Sequence, residues 1–172
     1  MSALTDRLWR VQWKMKALLT KEGMDVGTRF PDFELANLWG YSYRLRDVFP
    51  DRGAMLWLSN LCSGCEEKMP LVNRLARTYG EILQIFVISV LGEDRETPKR
   101  IQDAHRLIAP LLLDPDDWVG RVLGFEHPGG ACPMFNVFVL DRSGVVIFRH
   151  HLSAVKEDRL ETVIQSLAGP LA

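Results

Sequence analysis

The sequence predicts an α/β domain built on a mixed central sheet, and three observations support that prediction. Apolar runs alternate with segments of helical periodicity, as in strands joined by crossover helices. Two of these runs, 54–59 and 82–91, are continuously apolar, which is typical of parallel strands buried on both faces. Near its end the chain carries two more strand-like runs, 135–140 and 145–152, whose short connection predicts an antiparallel hairpin.

The composition is that of one globular domain. A chain of 172 residues with 47% hydrophobic and 25% charged residues can bury a sizeable core. The net charge of −1 gives no general attraction to nucleic acid, so no nucleic-acid partner is expected. No segment approaches the roughly 20 apolar residues that a membrane span needs, and no secretory signal is recognisable. A cytoplasmic location is therefore expected.

Residues 1–23 are predicted to form an N-terminal amphipathic helix ahead of a domain over 24–172. Its apolar stripe has spacings of four, three, four and three residues. The stripe consists of Leu4, Leu8, Val11, Met15 and Leu18. Packing on its own domain is the preferred interpretation. The alternatives are a homodimer seam through residues 3–21 and, ranked last, a basic, tryptophan-bearing helix on a membrane surface.

The segments that flank the first buried strand have clear turn signals. Residues 33–38 and 41–45 surround Trp39-Gly40 and predict a β-hairpin ahead of that strand. A short helical turn is expected over 46–49. After the strand, residues 62–79 predict a helix that Pro70 should kink.

Later helices begin at recognisable signals. Thr97-Pro98 predicts a helix start, with Thr97 as the N-cap and proline in the first turn. Asp114-Pro115 predicts another start after a brief strand over 111–113. Of the histidines, His105 is expected on a helix surface, while His150 and His151 should point to opposite faces of the last strand.

The stretch Cys62-Ser63-Gly64-Cys65 is the strongest chemical signal. Three cysteines are too few for a disulfide scaffold, whereas a pair with two intervening residues indicates redox or metal chemistry. The pair lies where a buried strand passes into a helix, and unpaired N–H groups there stabilise a thiolate. We therefore expect Cys62 to be a nucleophile with a lowered pKa and the more buried Cys65 to be the resolving thiol. No cofactor is expected.

Together these features resemble the thioredoxin superfamily, and within it the redoxin branch of TlpA-like thiol–disulfide reductases and peroxiredoxins. The resemblance covers residues 24–170. It rests on the cysteine pair at the strand–helix junction, on Pro70 five residues after Cys65, and on Pro133, which precedes the terminal hairpin where the family has its cis-proline. It implies a thioredoxin-like fold whose mixed sheet is flanked by helices.

The resemblance also implies thiol–disulfide exchange with a protein or small-thiol substrate. The backbone of Ala131 and Cys132, next to Pro133, would bind an extended substrate segment. The pattern departs from the family at three positions, which carry neither the usual preceding aromatic, nor the buried carboxylate, nor the later glutamate. These positions are Leu61, Leu56 and Lys68. The general base for the resolving thiol is therefore open, with Glu67 as a candidate modulator.

A thiol peroxidase of the peroxiredoxin type is the first alternative. Ser59 occupies the hydroxyl position of the peroxidatic motif, but Met55 stands where that motif has proline. A hydroxyl there would hydrogen-bond and polarise peroxide. The simpler interpretation is that Ser59, as a second candidate modulator, bonds the backbone at the end of the strand.

A thiolate metal site or metallochaperone is the second alternative. Cys132 beside the expected cis-proline would face the pair, so Cys62, Cys65 and Cys132 could bind a soft metal, with His127 adding a nitrogen. Cys132 could instead be an apolar filler or a third redox thiol. A redox-inert binding module is disfavoured because mere binding needs neither thiol.

Overall fold

The computed structural model describes residues 24–123 and 133–169. The helix predicted over 3–21, with its possible homodimer or membrane contact, lies outside the described residues, as do Ala131, Cys132 and His127. Expectations for those positions, including the boundary at residue 23, stay predictions. No helix in the described ranges is long and apolar enough to cross a membrane.

The sheet is mixed, as predicted. Its described strands are β1 (Glu34–Asn37), β2 (Ser42–Arg44), β3 (Gly53–Ser59), β4 (Leu83–Ser89), β5 (Leu111–Leu113), β6 (Val137–Leu140) and β7 (Val146–His150). They lie in the order β2-β1-β5-β4-β3-β6-β7. Strands β3, β4 and β5 are parallel because crossover connections join them, whereas β1, β6 and β7 pair antiparallel with their neighbours.

Helices cover both faces of this sheet. They are α1 (Ser63–Glu66), α2 (Met69–Tyr79), α3 (Glu96–His105), α4 (Trp118–Val122) and α5 (Glu157–Ser166), with a 3-10 turn over Leu45–Val48. Apolar side chains of α1, α2, α3 and α5 pack in the core on one face, and those of α4 and the 3-10 turn pack on the other. The predicted α/β class, hairpins and short turn before β3 are thereby confirmed.

Strand β3 lies inside the sheet between β4 and β6, and all seven of its residues are buried. Its side chains alternate: Met55 and Trp57 enter the core that contains Cys65, while Leu56 enters the core on the opposite face. Full burial of such side chains stabilises the fold by roughly 1.5–3 kcal/mol each. The strand therefore provides a rigid support for the residues that follow its carboxyl end.

The helix predicted over 62–79 is in fact two helices. Helix α1 ends at Glu66 and α2 begins at Met69, with Pro70 in its first turn. Proline has no backbone N–H. In the first turn of a helix this costs nothing, because the N–H groups there have no intrahelical acceptor. The Lys68 N–H instead bonds to the carbonyl of Cys65 at 2.9 Å, which tightens the end of α1.

The predicted cap of α3 was also wrong. The helix begins at Glu96, and the side chain that receives its free N–H groups is Asp94 rather than Thr97. The Asp94 carboxylate accepts bonds from the backbone N–H groups of Glu96 at 2.9 Å and Thr97 at 3.1 Å. Two turn-forming residues stand close together here, and one oxygen of the charged Asp94 side chain, Oδ1, accepts both N–H groups.

Candidate active site

The chain turns sharply between β3 and α1. Leu61 has the left-handed backbone conformation, with φ of +52°, and its side chain is buried in the core. The fully buried Ser59 hydroxyl accepts the Leu61 N–H at 3.0 Å and thereby supports the turn. Ser59 thus bonds the local backbone at the end of the strand, as the simpler interpretation of this residue predicts. The turn brings Cys62 to the start of α1.

The two cysteines lie at the first turn of α1 with very different exposure. Cys62 is the N-cap residue and is exposed, whereas Cys65 is only 4% exposed and belongs to the core. No disulfide joins Cys62 to Cys65, and their sulfur atoms are 3.7 Å apart. A disulfide needs about 2.0 Å, so a small movement of either side chain would bring the sulfur atoms to bonding distance, and an oxidised partner that takes two electrons and two protons would complete the bond.

The pKa of Cys62 differs from the sequence-based expectation. Partial burial is the largest influence and raises the pKa of the thiol, and the neighbouring Cys65 adds to the increase. The backbone N–H groups of Cys65 and Gly64 lower the pKa, but they do not prevail. Helix α1 has only four residues, so its dipole is short, and the predicted lowering of the Cys62 pKa is wrong.

Asn60 is a site residue that the sequence reasoning missed. Its Oδ1 atom is 3.4 Å from the Cys65 sulfur, which donates to it, and 3.4 Å from the Cys62 backbone nitrogen. The side chain is half-buried between the end of β3 and the cysteine pair. A polar residue two positions before Cys62 was the available signal, but its direction depends on the unusual backbone of Leu61.

The carboxylates after the pair point elsewhere. Glu67, the candidate modulator, is exposed. Glu66 bonds to the guanidinium of Arg100 at 3.1 and 3.2 Å and to Nε2 of His105 at 3.0 Å, and these partners, Arg100 first, lower the pKa of Glu66. The side chain of His105 is 23% exposed, so it is half-buried and connects α3 to α1 through its contact with Glu66.

The segment before β6 runs beside the cysteine end of β3. The Leu58 N–H bonds to the Asn136 carbonyl at 2.8 Å, and Val137 pairs with Trp57 in the sheet. Pro133, just upstream, is buried. Its peptide bond to Cys132 lies outside the described residues, so the cis-proline stays a prediction. Within the described ranges no cluster of three or more histidine, cysteine or acidic residues is arranged to hold a metal.

Of the two late histidines, only His150 lies on the last strand. Strand β7 ends at His150, which is 6% exposed, so the strand alternation does not extend to His151. The His151 N–H bonds to Nδ1 of His150 at 2.9 Å. Burial, and then repulsion from His150, lower the pKa of His151 to about 4. At neutral pH this imidazole is uncharged.

A sheet of this strand order, with a pair of thiols just beyond the carboxyl end of β3, is the arrangement of a redoxin of the thioredoxin superfamily. The chain belongs to the AhpC/TSA family, whose match spans residues 26–149. The thiol-disulfide oxidoreductase ResA of Geobacillus kaustophilus is 30% identical over 128 residues, which are 73% of this chain and 69% of the relative. The chain is accordingly a thiol–disulfide oxidoreductase.

Solved structures agree on the fold. The thiol:disulfide interchange protein DsbE from Chlorobium tepidum superimposes with a TM-score of 0.70 at 20% identity, covering 85% of this chain and 99% of that one. The peroxidoxin BcpB from Mycobacterium tuberculosis gives a TM-score of 0.67 at 22% identity, covering 84% and 96%. The same fold thus occurs in a protein named for thiol:disulfide interchange and in one named for peroxide chemistry, and the fold alone does not choose between them.

Proposed function

We propose that this oxidoreductase exchanges disulfides with a protein or small-thiol substrate, with Cys62 as the nucleophile and Cys65 as the resolving thiol. The supporting observation is the distance of 3.7 Å between one exposed and one buried sulfur. The exposed sulfur can reach a disulfide in solution, and the buried one lies within reach of the Cys62 sulfur.

The reaction runs in two balanced steps. The Cys62 thiolate attacks one sulfur of the substrate disulfide, forms a mixed disulfide and releases the other sulfur as a thiolate. Cys65 then gives up its proton, attacks the Cys62 sulfur and releases the second substrate thiolate. Both released thiolates take up protons, so two electrons and two protons pass from the dithiol to the substrate. The raised pKa of Cys62 makes the thiolate a minor species at neutral pH, and the first step should accelerate as pH rises.

The direction of exchange depends on the surroundings. A cytoplasmic location, which the sequence predicts, would keep the pair in its dithiol form and make the protein a reductant. Cys132 remains a candidate third redox thiol or metal ligand, and Ala131, Cys132 and Pro133 a candidate substrate-binding segment.

Trapping the intermediate tests this function. Cys65→Ser should accumulate one equivalent of mixed disulfide through Cys62 when treated with oxidised glutathione or a disulfide-bonded protein, because the resolving thiol is missing. Cys62→Ser should lose at least about 10³-fold of the disulfide reductase rate. Peptide mapping by mass spectrometry identifies the trapped sulfur, and Cys132→Ser made beside these variants shows whether the third thiol takes part.

The peroxidase alternative gives opposite results. Rapid consumption of hydrogen peroxide with a thiol reductant, surviving Cys65→Ser, would contradict the exchange function. The Ser59 hydroxyl is buried and engaged by the Leu61 N–H, which weighs against a peroxide-polarising role. A mixed disulfide trapped on Cys132 rather than Cys62 would equally contradict the assignment of the nucleophile.

A further inference from the structure

Asn60 brings one oxygen atom to both cysteines. Its Oδ1 accepts from the Cys65 thiol and from the Cys62 backbone N–H, each at 3.4 Å. The two contacts differ in kind, since one is made to a sulfur that takes part in the reaction and the other to the backbone. The positive φ of Leu61 turns the chain after Asn60. The side-chain amide of Asn60 therefore lies within reach of the buried Cys65 thiol.

Only one of these contacts depends on the redox state. The thiol of Cys65 has a proton to donate while the pair is reduced. In a Cys62–Cys65 disulfide neither sulfur carries a proton, so the hydrogen bond to Asn60 is lost. The contact with the Cys62 N–H needs no sulfur proton and can persist in both states. The amide oxygen therefore interacts more strongly with the dithiol than with the disulfide.

Neighbouring carboxylates do not take this position. Glu66 is engaged by Arg100 and His105 on α3, and Glu67 is exposed. A neutral amide against the buried thiol accepts its proton in a hydrogen bond without adding a charge that would repel the thiolate in the resolving step.

We propose that Asn60 is a positioning residue that orients the Cys65 thiol and stabilises the dithiol relative to the disulfide. This inference rests on the proposed exchange reaction. It predicts a direction: removing the amide oxygen makes the pair easier to oxidise, and strengthening the acceptor makes the pair harder to oxidise.

Redox titration against glutathione tests the direction. In the full chain, Asn60→Ala should shift the equilibrium constant toward the disulfide by about three- to tenfold, the effect of one hydrogen bond. Asn60→Asp keeps an acceptor for both contacts and makes it ionic, so the constant should shift toward the dithiol by about threefold or more. Gln165→Glu adds the same charge on the exposed part of α5 and should leave the constant within about twofold of wild type.

Opposite signs distinguish this role from simple support of the loop. Equal shifts in one direction, or no shift in either variant, would overturn the assignment. If Asn60→Ala does not fold, Asn60→Asp alone decides. Its redox equilibrium constant should favour the dithiol more than that of the wild type, and a constant that is unchanged or favours the disulfide contradicts the inference. A wild-type protein that forms no Cys62–Cys65 disulfide would instead refute the exchange function. If the wild type forms the disulfide and neither Asn60 variant shifts the redox equilibrium constant, only the role of Asn60 is refuted.

Discussion

Three parallel strands pass into helices at the same edge of the sheet. The junction that carries the cysteines differs from the other two in the side chain that lies at the start of the helix. After β4, the Asp94 carboxylate receives two N–H groups of α3. After β5, the Asp114 carboxylate receives the N–H groups of Trp118 at 2.9 Å and Val119 at 2.8 Å. After β3, Cys62 occupies the cap position, and its side chain makes no capping hydrogen bond.

The first N–H groups of the helices have different roles at these junctions. Carboxylates at α3 and α4 satisfy N–H groups that would otherwise lack partners, which stabilises those helices. At α1 the N–H groups of Gly64 and Cys65 act on the Cys62 sulfur and oppose the increase in its pKa caused by burial. A carboxylate there would compete for the same donors and repel the thiolate. The cysteine junction therefore differs from its two neighbours, where an aspartate carboxylate accepts the first N–H groups of the helix.

The largest expected effect on stability is at the α4 junction. Asp114 is 1% exposed, and Asp114→Ala would leave two N–H groups without their acceptor, so the free energy of unfolding should fall by about 2 kcal/mol. Urea unfolding measures this loss, and Asp114→Asn, which keeps one oxygen acceptor, should lose less. The redox equilibrium with glutathione should stay within about twofold of wild type. A large change in that equilibrium would mean that the junctions are coupled.

A smaller effect is expected when a carboxylate is placed at the α1 junction. Ser63 is exposed in the first turn, and Ser63→Asp should raise the pKa of Cys62 further because the new charge disfavours the thiolate. Alkylation of Cys62 by iodoacetamide at neutral pH should slow by about two- to fivefold, the effect of one charge at a helix end. Ser63→Asn is the matched neutral control. Unchanged alkylation in both variants would show that the donors of α1 do not act on the sulfur.

The smallest effect concerns the tie between α1 and α3. Arg100, and then His105, lower the pKa of Glu66 below its ordinary value of 4.5, so the folded state favours the ionised form. The resulting stabilisation is present above pH 4.5 and is lost as pH falls through the folded-state pKa. Glu66→Gln should therefore lower the melting temperature slightly at pH 7 and hardly at all in strong acid. A gap between the two proteins that persists in strong acid would contradict this account.

Much of the fold could be predicted because its signals are local. Continuous apolar runs predicted β3 and β4, and Trp39-Gly40 marked the first hairpin, where Gly40 has φ of +84°. Helix boundaries were less predictable, since neighbouring residues compete for the same donors. Asp94 and Thr97 are both good caps, and only the path of the loop after β4 decides which one reaches the free N–H groups.

The site was predictable as a motif but not in its contacts. The spacing of Cys62 and Cys65 and their position after a buried strand predicted one exposed and one buried thiol. The pKa of Cys62 was predicted in the wrong direction because the length of α1 and the burial of the sulfur are not encoded locally. The contact of Asn60 depends on a left-handed residue at position 61, a conformation that leucine seldom adopts.

The burial of β3 sets two time scales for chemical labelling of the native protein. The strand is buried and paired with β4 on one side and β6 on the other, so its hydrogen-bonded amide hydrogens should exchange with deuterium only in global unfolding. Cys62, three residues beyond this strand, is accessible to reagents in the folded state, whereas Cys65 becomes accessible when the turn around it opens. Comparing Cys65 labelling with β3 exchange would therefore report whether the active-site end opens on its own or only with the whole domain.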